Sequence, residues 1–291
     1  MTKGLIGIIG GTGLGDALAE QIADGKFYNI NTPFGRPSSS IMVGRIGKHK
    51  IAYLNRHGKG HKLSPSEVPF AANIFALKKL GVHTLIASGA VGSLREQIGP
   101  GDLVIVDQFI DKTFKRTNSF FTGFGTVHCE MAQPVCGRLS RKLSETAKNI
   151  NVKTHPKGTY VCMEGPQFST QAESLMHRAW GGDLIGMTAM PEAKLAREAQ
   201  ICYALVALPS DYDCWRSKRG KKNKQTLLEE ITANLQTATN NCLKLIKTVL
   251  ENGRELICED CPCRKSLDLA VWTSRSQIDP VYKKKLKVLF E

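Results

Sequence analysis

The sequence predicts an α/β protein, a single domain in which helices flank a mixed, largely parallel central β-sheet. Three observations carry that prediction. Short apolar runs alternate along the chain with stretches of helical period, the order that lays helices across a parallel sheet. Glycines and small polar residues follow several apolar runs directly, as at Gly10-Gly11-Thr12-Gly13 and Ser88-Gly89-Ala90, where strands of such sheets give way to ligand-binding turns. A chain of 291 residues, 42% hydrophobic and 23% charged, can also bury one sizeable core.

Buried strands are expected at 5–9, 51–54, 84–87, 103–106, 159–163 and 201–208, each an apolar run bounded by turn residues. A helix is expected at 68–80, with Pro69 in its first turn, Phe70, Ile74 and Leu77 on one face and Gly81 at its stop. Shorter helical patterns cover 134–150, 171–180 and 190–200. The longest covers 227–250, where Leu227, Leu228, Ile231, Leu235, Ala238, Cys242, Leu245 and Val249 keep a 3.6-residue period. Thr226 and Glu229 predict a capping box at its start. Residues 1–251 form the expected domain. Residues 252–291 lose the period and read as an irregular C-terminal extension, packed on the body or partly mobile.

Composition excludes a disordered, collagen-like or disulfide-dense chain, and no apolar run reaches the ~18 residues of a membrane span. Lys3, the apolar stretch 4–15 and Ala17-Leu18-Ala19 mimic a signal peptide, but six of those twelve stretch residues are glycine and Asp16 follows. A strand entering a Gly-rich turn explains the same residues, so a cytoplasmic protein is expected. The net charge of +14 attracts anions. Its densest runs, 216–224 and 283–287, lack the interleaved aromatics of a nucleic-acid surface, so nucleic-acid binding is the weaker reading. Cys129, Cys136, Cys162, Cys202, Cys214 and Cys242 are scattered as core residues would be. The Cys258, Cys261, Cys263 run can hold zinc or a local disulfide, but no second CxxC or His pair completes a tetrahedral set. No metal is expected.

Chemistry is sought just after the strands. The glycines at 10–15 let amides approach an anion or simply make a tight turn; neither the P-loop nor the dinucleotide spacing is met. In Arg56-His57-Gly58-Lys59-Gly60-His61, the Arg56 fork can clamp two anion oxygens and His57 can donate a third bond. Ser88-Gly89-Ala90-Val91-Gly92-Ser93 repeats the small-residue chemistry. Phe168 and Met187 are either core residues or the wall of a flat heteroaromatic ligand. Asp211 and Asp213 after the last strand suit a metal site, a helix cap or an acid pair; a desolvated carboxyl there would hold a proton near neutrality.

Seven motifs in order, GIIGGTGL (7–14), RHGKGH (56–61), GSLRE (92–96), DQFID (107–111), EGPQFS (164–169), MTAMPE (187–192) and SDYDCW (210–215), resemble the trimeric purine nucleoside phosphorylase family, within it the branch that cleaves S-methyl-5′-thioadenosine. The resemblance spans about residues 4–250. It implies a phosphorylase/hydrolase-like fold, a homotrimer, and phosphate-dependent cleavage to adenine and 5-methylthioribose 1-phosphate, with phosphate as co-substrate and no cofactor. Thr12, Arg56, His57, Gly89, Ala90 and Thr188 fall at its phosphate positions. Met187 falls against the ribose, and Phe168 and Ser169 against the purine. Asp211, Tyr212 and Asp213 face the base, with Asp211 as the acid at N7, and His128 reaches a neighbouring subunit's site. Gly89 stands where the family usually has Thr or Ser, and Lys224 near an apolar 5′ position. A broader purine nucleoside specificity is the alternative within the same class.

Overall fold

The computed structural model describes residues 4–11, 14–216, 223–252, 256–274 and 276–291, without the side chains of residues 15, 16, 224 and 252. In chain order come β1 (Leu5–Gly10), α1 (Leu14–Ala19), β2 (Ala23–Tyr28), β3 (Ile41–Ile46), β4 (His49–Asn55), α2 (Phe70–Lys79) and β5 (Val82–Ser93). Then follow β6 (Leu103–Val106), β7 (Gln108–Lys112), α3 (Gly137–Asn149), β8 (Thr154–His155), β9 (Thr159–Met163), α4 (Gln171–Ala179) and β10 (Leu184–Gly186). The chain closes with α5 (Glu192–Glu198), β11 (Cys202–Tyr212), α6 (Lys224–Asn252) and α7 (Pro280–Lys285).

All eleven strands join one sheet, in the order β2-β3-β4-β1-β5-β10-β9-β7 with β11, β6 and β8 branching from β5. The sheet is mixed and mostly parallel, as expected. The antiparallel pairs include β2–β3 and β3–β4, a meander on which β2 is wholly exposed. That exposed run has no buried face, which is why its sequence carries no strand signal. Both faces of the central strands are covered. Along β11, Tyr203, Leu205 and Ala207 pack in one core cluster while Ala204, Val206 and Leu208 pack in the other, the period-2 alternation of a strand buried on both sides. Contacts of α2 with α5 and of α3 with α6 mark the two helical layers.

Two expectations are corrected. Residues 88–93 were expected as a loop after a short strand; instead β5 runs unbroken to Ser93 because β11 stays paired beside it to Tyr212, with one irregularity between Pro209 and Asp211. Ser210, Asp211 and Tyr212 therefore lie in the strand, not after it. The long helix begins at Lys224, and Asn223 Oδ1 caps it by accepting from Thr226 N–H at 2.7 Å. Thr226 is inside the first turn rather than the cap.

The described residues of the C-terminal extension pack on the body. Leu286 and Leu289 are fully buried, Phe290 stacks on Phe124 at 5.8 Å, and Val271 bridges Val127.

Candidate active site

Within the sheet a stretch of β5 has one edge open, and the candidate site is built there. β5 pairs with β1 as far as Ala87 and with β10 from Gly92. Between them, residues 88–91 are paired with β11 on one side only. Ser88 O is aimed at the open edge, where it accepts from Arg56 Nη1 at 2.7 Å. Strand alternation points the amide of Ala90 the same way. This is the switch point at which ligands of α/β sheets bind.

Arg56 follows β4 directly, its own N–H donating to Gly10 O at 3.0 Å. Its side chain is fully buried. The Nε and Nη2 edge, expected to clamp an anion, is instead taken by Glu192, whose two oxygens accept at 2.9 and 3.0 Å. Tyr203 Oη also donates to Glu192, at 2.9 Å. Burial alone would depress the guanidinium, but Glu192 more than offsets it and Arg56 stays a cation. Three of its five N–H donors are thus used, leaving one on each terminal nitrogen. Gly11 lies so close that a Cβ there would stand 2.8 Å from Arg56 Nη1, and one on Gly89 would stand 3.3 Å from Thr188 Oγ1. Gly11, Arg56, Ser88, Gly89 and Thr188 therefore converge. Thr12 lies outside the described residues.

His57 departs from its expected role as a donor. Its buried Nδ1 stands 2.8 Å from Leu63 O and so carries the proton, donating there. Burial first, then the Arg56 cation, lower it to about 4, so the ring is neutral and its Nε2 is an acceptor. It can receive a hydrogen bond from a protonated phosphate oxygen but cannot donate one. His61 stacks on it at 4.1 Å, which is packing rather than ligation.

A second buried ion pair holds the Met187–Thr188 segment. Arg116 donates to Glu164 Oε1 at 3.0 Å, to Met187 O at 2.6 Å and to Met190 O at 2.5 Å. Burial would raise Glu164, yet donors from Ser66, the Phe114 and Lys115 amides and Arg116 outweigh it and hold the carboxylate near 2. Gly165 combines φ of +72° with a Cβ direction only 2.5 Å from Met187 Sδ, so any side chain there would be strained and would displace Met187. Glu192 and Arg116 were not singled out from sequence. The place of Glu192 at the end of the MTAMPE motif was the available signal for the first; nothing local marks the second.

The carboxylates sit farther along the same strand pair. Asp211 lies beside Gly92 in register, and Asp213 N–H donates to Ser93 O at 3.0 Å. Four residues of strand, roughly 13 Å, separate Ser88 from Gly92. Burial, with the neighbouring Asp213 charge adding to it, raises Asp211 to about 6 although Ser210 Oγ donates to it at 2.8 Å. Asp213 Oδ2 is buried with no hydrogen-bond partner. Cys214 Sγ donates to Ser169 O at 3.2 Å, tying the 164–169 loop to this corner. Phe168 in that loop is 86% exposed and is no core residue. Tyr212 turns the other way, its hydroxyl donating to Glu96 O at 3.2 Å, so its side chain does not face the carboxylates. His128 is exposed and packs edge-on to Trp272 at 5.5 Å, outside this cluster. The Lys224 side chain lies outside the described residues. Among the described residues, the one set of His, Cys, Asp or Glu side chains gathered as metal ligands would be is Cys136, Cys202, Cys261 and Cys263, and none belongs to this site.

Fixed donors at an open strand edge and, farther along the same strand pair, a carboxyl raised to about 6 are groups suited to a nucleoside-cleaving class that uses an inorganic anion. The chain belongs to the phosphorylase superfamily, whose family model matches residues 5–251. It is 46% identical over 283 residues to the S-methyl-5′-thioadenosine phosphorylase of Cereibacter sphaeroides, covering 96% of this chain and 94% of that one. Its fold matches the methylthioadenosine phosphorylase from an antarctic soil metagenomic library with a TM-score of 0.87 at 38% identity, over 98% of both chains. It also matches the Schistosoma mansoni methylthioadenosine phosphorylase in complex with adenine, with a TM-score of 0.78 at 34% identity over 85% and 91% of the two chains.

Proposed function

We propose that this protein cleaves the N-glycosidic bond of S-methyl-5′-thioadenosine with inorganic phosphate, releasing adenine and 5-methylthioribose 1-phosphate. The observation that carries this reading is the succession along β5 and β11 of an open-edged cationic cradle and a carboxyl raised to about 6.

In this mechanism the remaining Arg56 N–H groups, the Ala90 amide and Thr188 hold phosphate below the sugar, and Gly89 leaves room for it. His57 Nε2 accepts from a phosphate hydroxyl. Met187 lies along the ribose, and Phe168 and Ser169 along the purine. A phosphate oxygen bonds to C1′ as the C1′–N9 bond breaks; the ribosyl cation is stabilised by the adjacent phosphate. The electron pair goes to the purine, and Asp211 delivers its proton to N7. Asp213 Oδ2 accepts from the exocyclic amine. A purine with an oxygen there would leave that buried acceptor unpaired, at about 1–3 kcal/mol.

Phe168, Phe114 and Trp180 are each large apolar residues left exposed, as residues that a partner covers are, and we read the assembly as a homotrimer with His128 serving a neighbour's site. The nine free cysteines suit a reducing, cytoplasmic setting, and the products suit purine and methionine salvage.

Incubation with methylthioadenosine, with and without phosphate, tests the proposal. Phosphate-dependent release of adenine and a sugar 1-phosphate is expected. Equal adenine release without phosphate would make the protein a hydrolase.

A further inference from the structure

Four cysteines from distant parts of the chain meet in the core. Cys136, Cys202, Cys261 and Cys263 are all buried, and their Sγ atoms all lie within 4.8 Å of one another, with Cys136 and Cys261 at 3.7 Å. A zinc ion with Zn–S bonds of about 2.3 Å places its four sulfurs at tetrahedron corners about 3.8 Å apart. The sulfurs are free thiols at that spacing, far beyond the ~2.05 Å of a disulfide.

The framework suits a closed site. Cys136 immediately precedes α3, Cys202 opens β11, and Cys261 and Cys263 flank Pro262 in a 3-10 turn. The four cysteines share one buried apolar cluster with Leu139, Leu143 and Leu256, surroundings that suit a site without a water ligand. The Arg138 guanidinium interacts electrostatically with Cys136 and Cys202 beside this cluster and donates to Leu256 O at 3.1 Å. Four thiols packed merely as small apolar groups give no reason to gather a guanidinium, whereas a metal tetrathiolate of charge −2 does.

We propose that Cys136, Cys202, Cys261 and Cys263 bind one zinc-class divalent cation as a closed tetrahedral structural site that fastens the C-terminal segment to the body. Binding displaces four thiol protons to solvent and forms four metal–sulfur bonds, with no change of oxidation state. Cys258, although in the same C-x-x-C-x-C run, is outside the set. The spatial cluster, not the sequence run, makes the site.

The full chain, purified under reductant after zinc exposure, is expected to carry about one zinc per chain by elemental analysis. After metal removal under reductant, cobalt(II) is expected to give the thiolate charge-transfer and intense visible bands of a tetrahedral sulfur site. Cys263→Ser is expected to lose the stoichiometric metal and Cys258→Ser to keep it. If Cys263→Ser does not fold, the zinc content and cobalt spectrum of the unaltered chain decide. Absence of bound zinc with all thiols reduced, absence of the cobalt bands, disulfides among these four cysteines in protein isolated without reductant, or equal metal loss in Cys258→Ser would overturn the proposal.

Discussion

At the Arg56 end of the site the buried charges are already paired, with Glu192 filling one edge of the guanidinium and Ser88 O accepting from Nη1. At the Asp211 end the reverse holds: one carboxyl is held up at about 6 by burial and its neighbour's charge, and Asp213 Oδ2 has no partner. The difference follows from what each end must meet. An oxyanion is bound best by dipoles and cations fixed beforehand, since reorganising them during the reaction would raise the barrier. A leaving base needs a group that gives up a proton, and a carboxyl does so near neutrality only where its charge is incompletely stabilised.

Three changes would break or sharpen that contrast. The largest effect is expected from Asp211→Ala, which should lower turnover about 10²–10⁴-fold if Asp211 is the acid, with phosphate affinity nearly unchanged. The folded value near 6 lies above the ordinary 3.8, so the protonated form is complete below about pH 4 and is lost as pH rises through 6. Turnover of the unaltered protein should therefore decline on the alkaline side of that point, and the Asp211→Asn profile should lack this limb. A retained limb would move the acid elsewhere.

Next comes Glu192→Gln, which leaves the buried Arg56 cation without its anion. A loss of about 3–5 kcal/mol in unfolding free energy is expected from denaturant titration. Added phosphate should restore more stability to this variant than to the parent, because the dianion then supplies the missing charge. Equal rescue in both would separate Arg56 from the phosphate site. The smallest effect belongs to Asp213→Asn. The amide can donate to an oxygen at C6, so the preference for adenosine over inosine in kcat/KM should fall by about 1–3 kcal/mol, roughly 5- to 150-fold. An unchanged ratio would take Asp213 out of base recognition.

Much of this was legible locally. The strands 103–106 and 159–163 have the bounds expected of them, because apolar runs buried on both faces advertise themselves. Arg56, Asp211 and Asp213 were recognisable as chemistry at or just beyond strands, and Thr188 only through the family resemblance. Strand lengths were not: nothing in Gly89 or Gly92 says that β5 continues, since its continuation depends on β11 running alongside. The exposed β2 and the short β10 were invisible for the opposite reason, as one has no buried face and the other spans three residues.

The amino-acid order by itself determined the alternation of strands and helices, the glycine-lined corners and the kinds of reactive groups, because those are properties of residues near one another in the chain. Only the folded arrangement decided that Glu192 would fill the fork of Arg56, 136 positions away. It likewise decided that His57 would spend its proton on Leu63, and that Cys136 and Cys202 would meet Cys261 and Cys263. Local pattern fixes which groups a segment presents; which groups meet across a sheet is set by packing over the whole core, and no short window of sequence contains it.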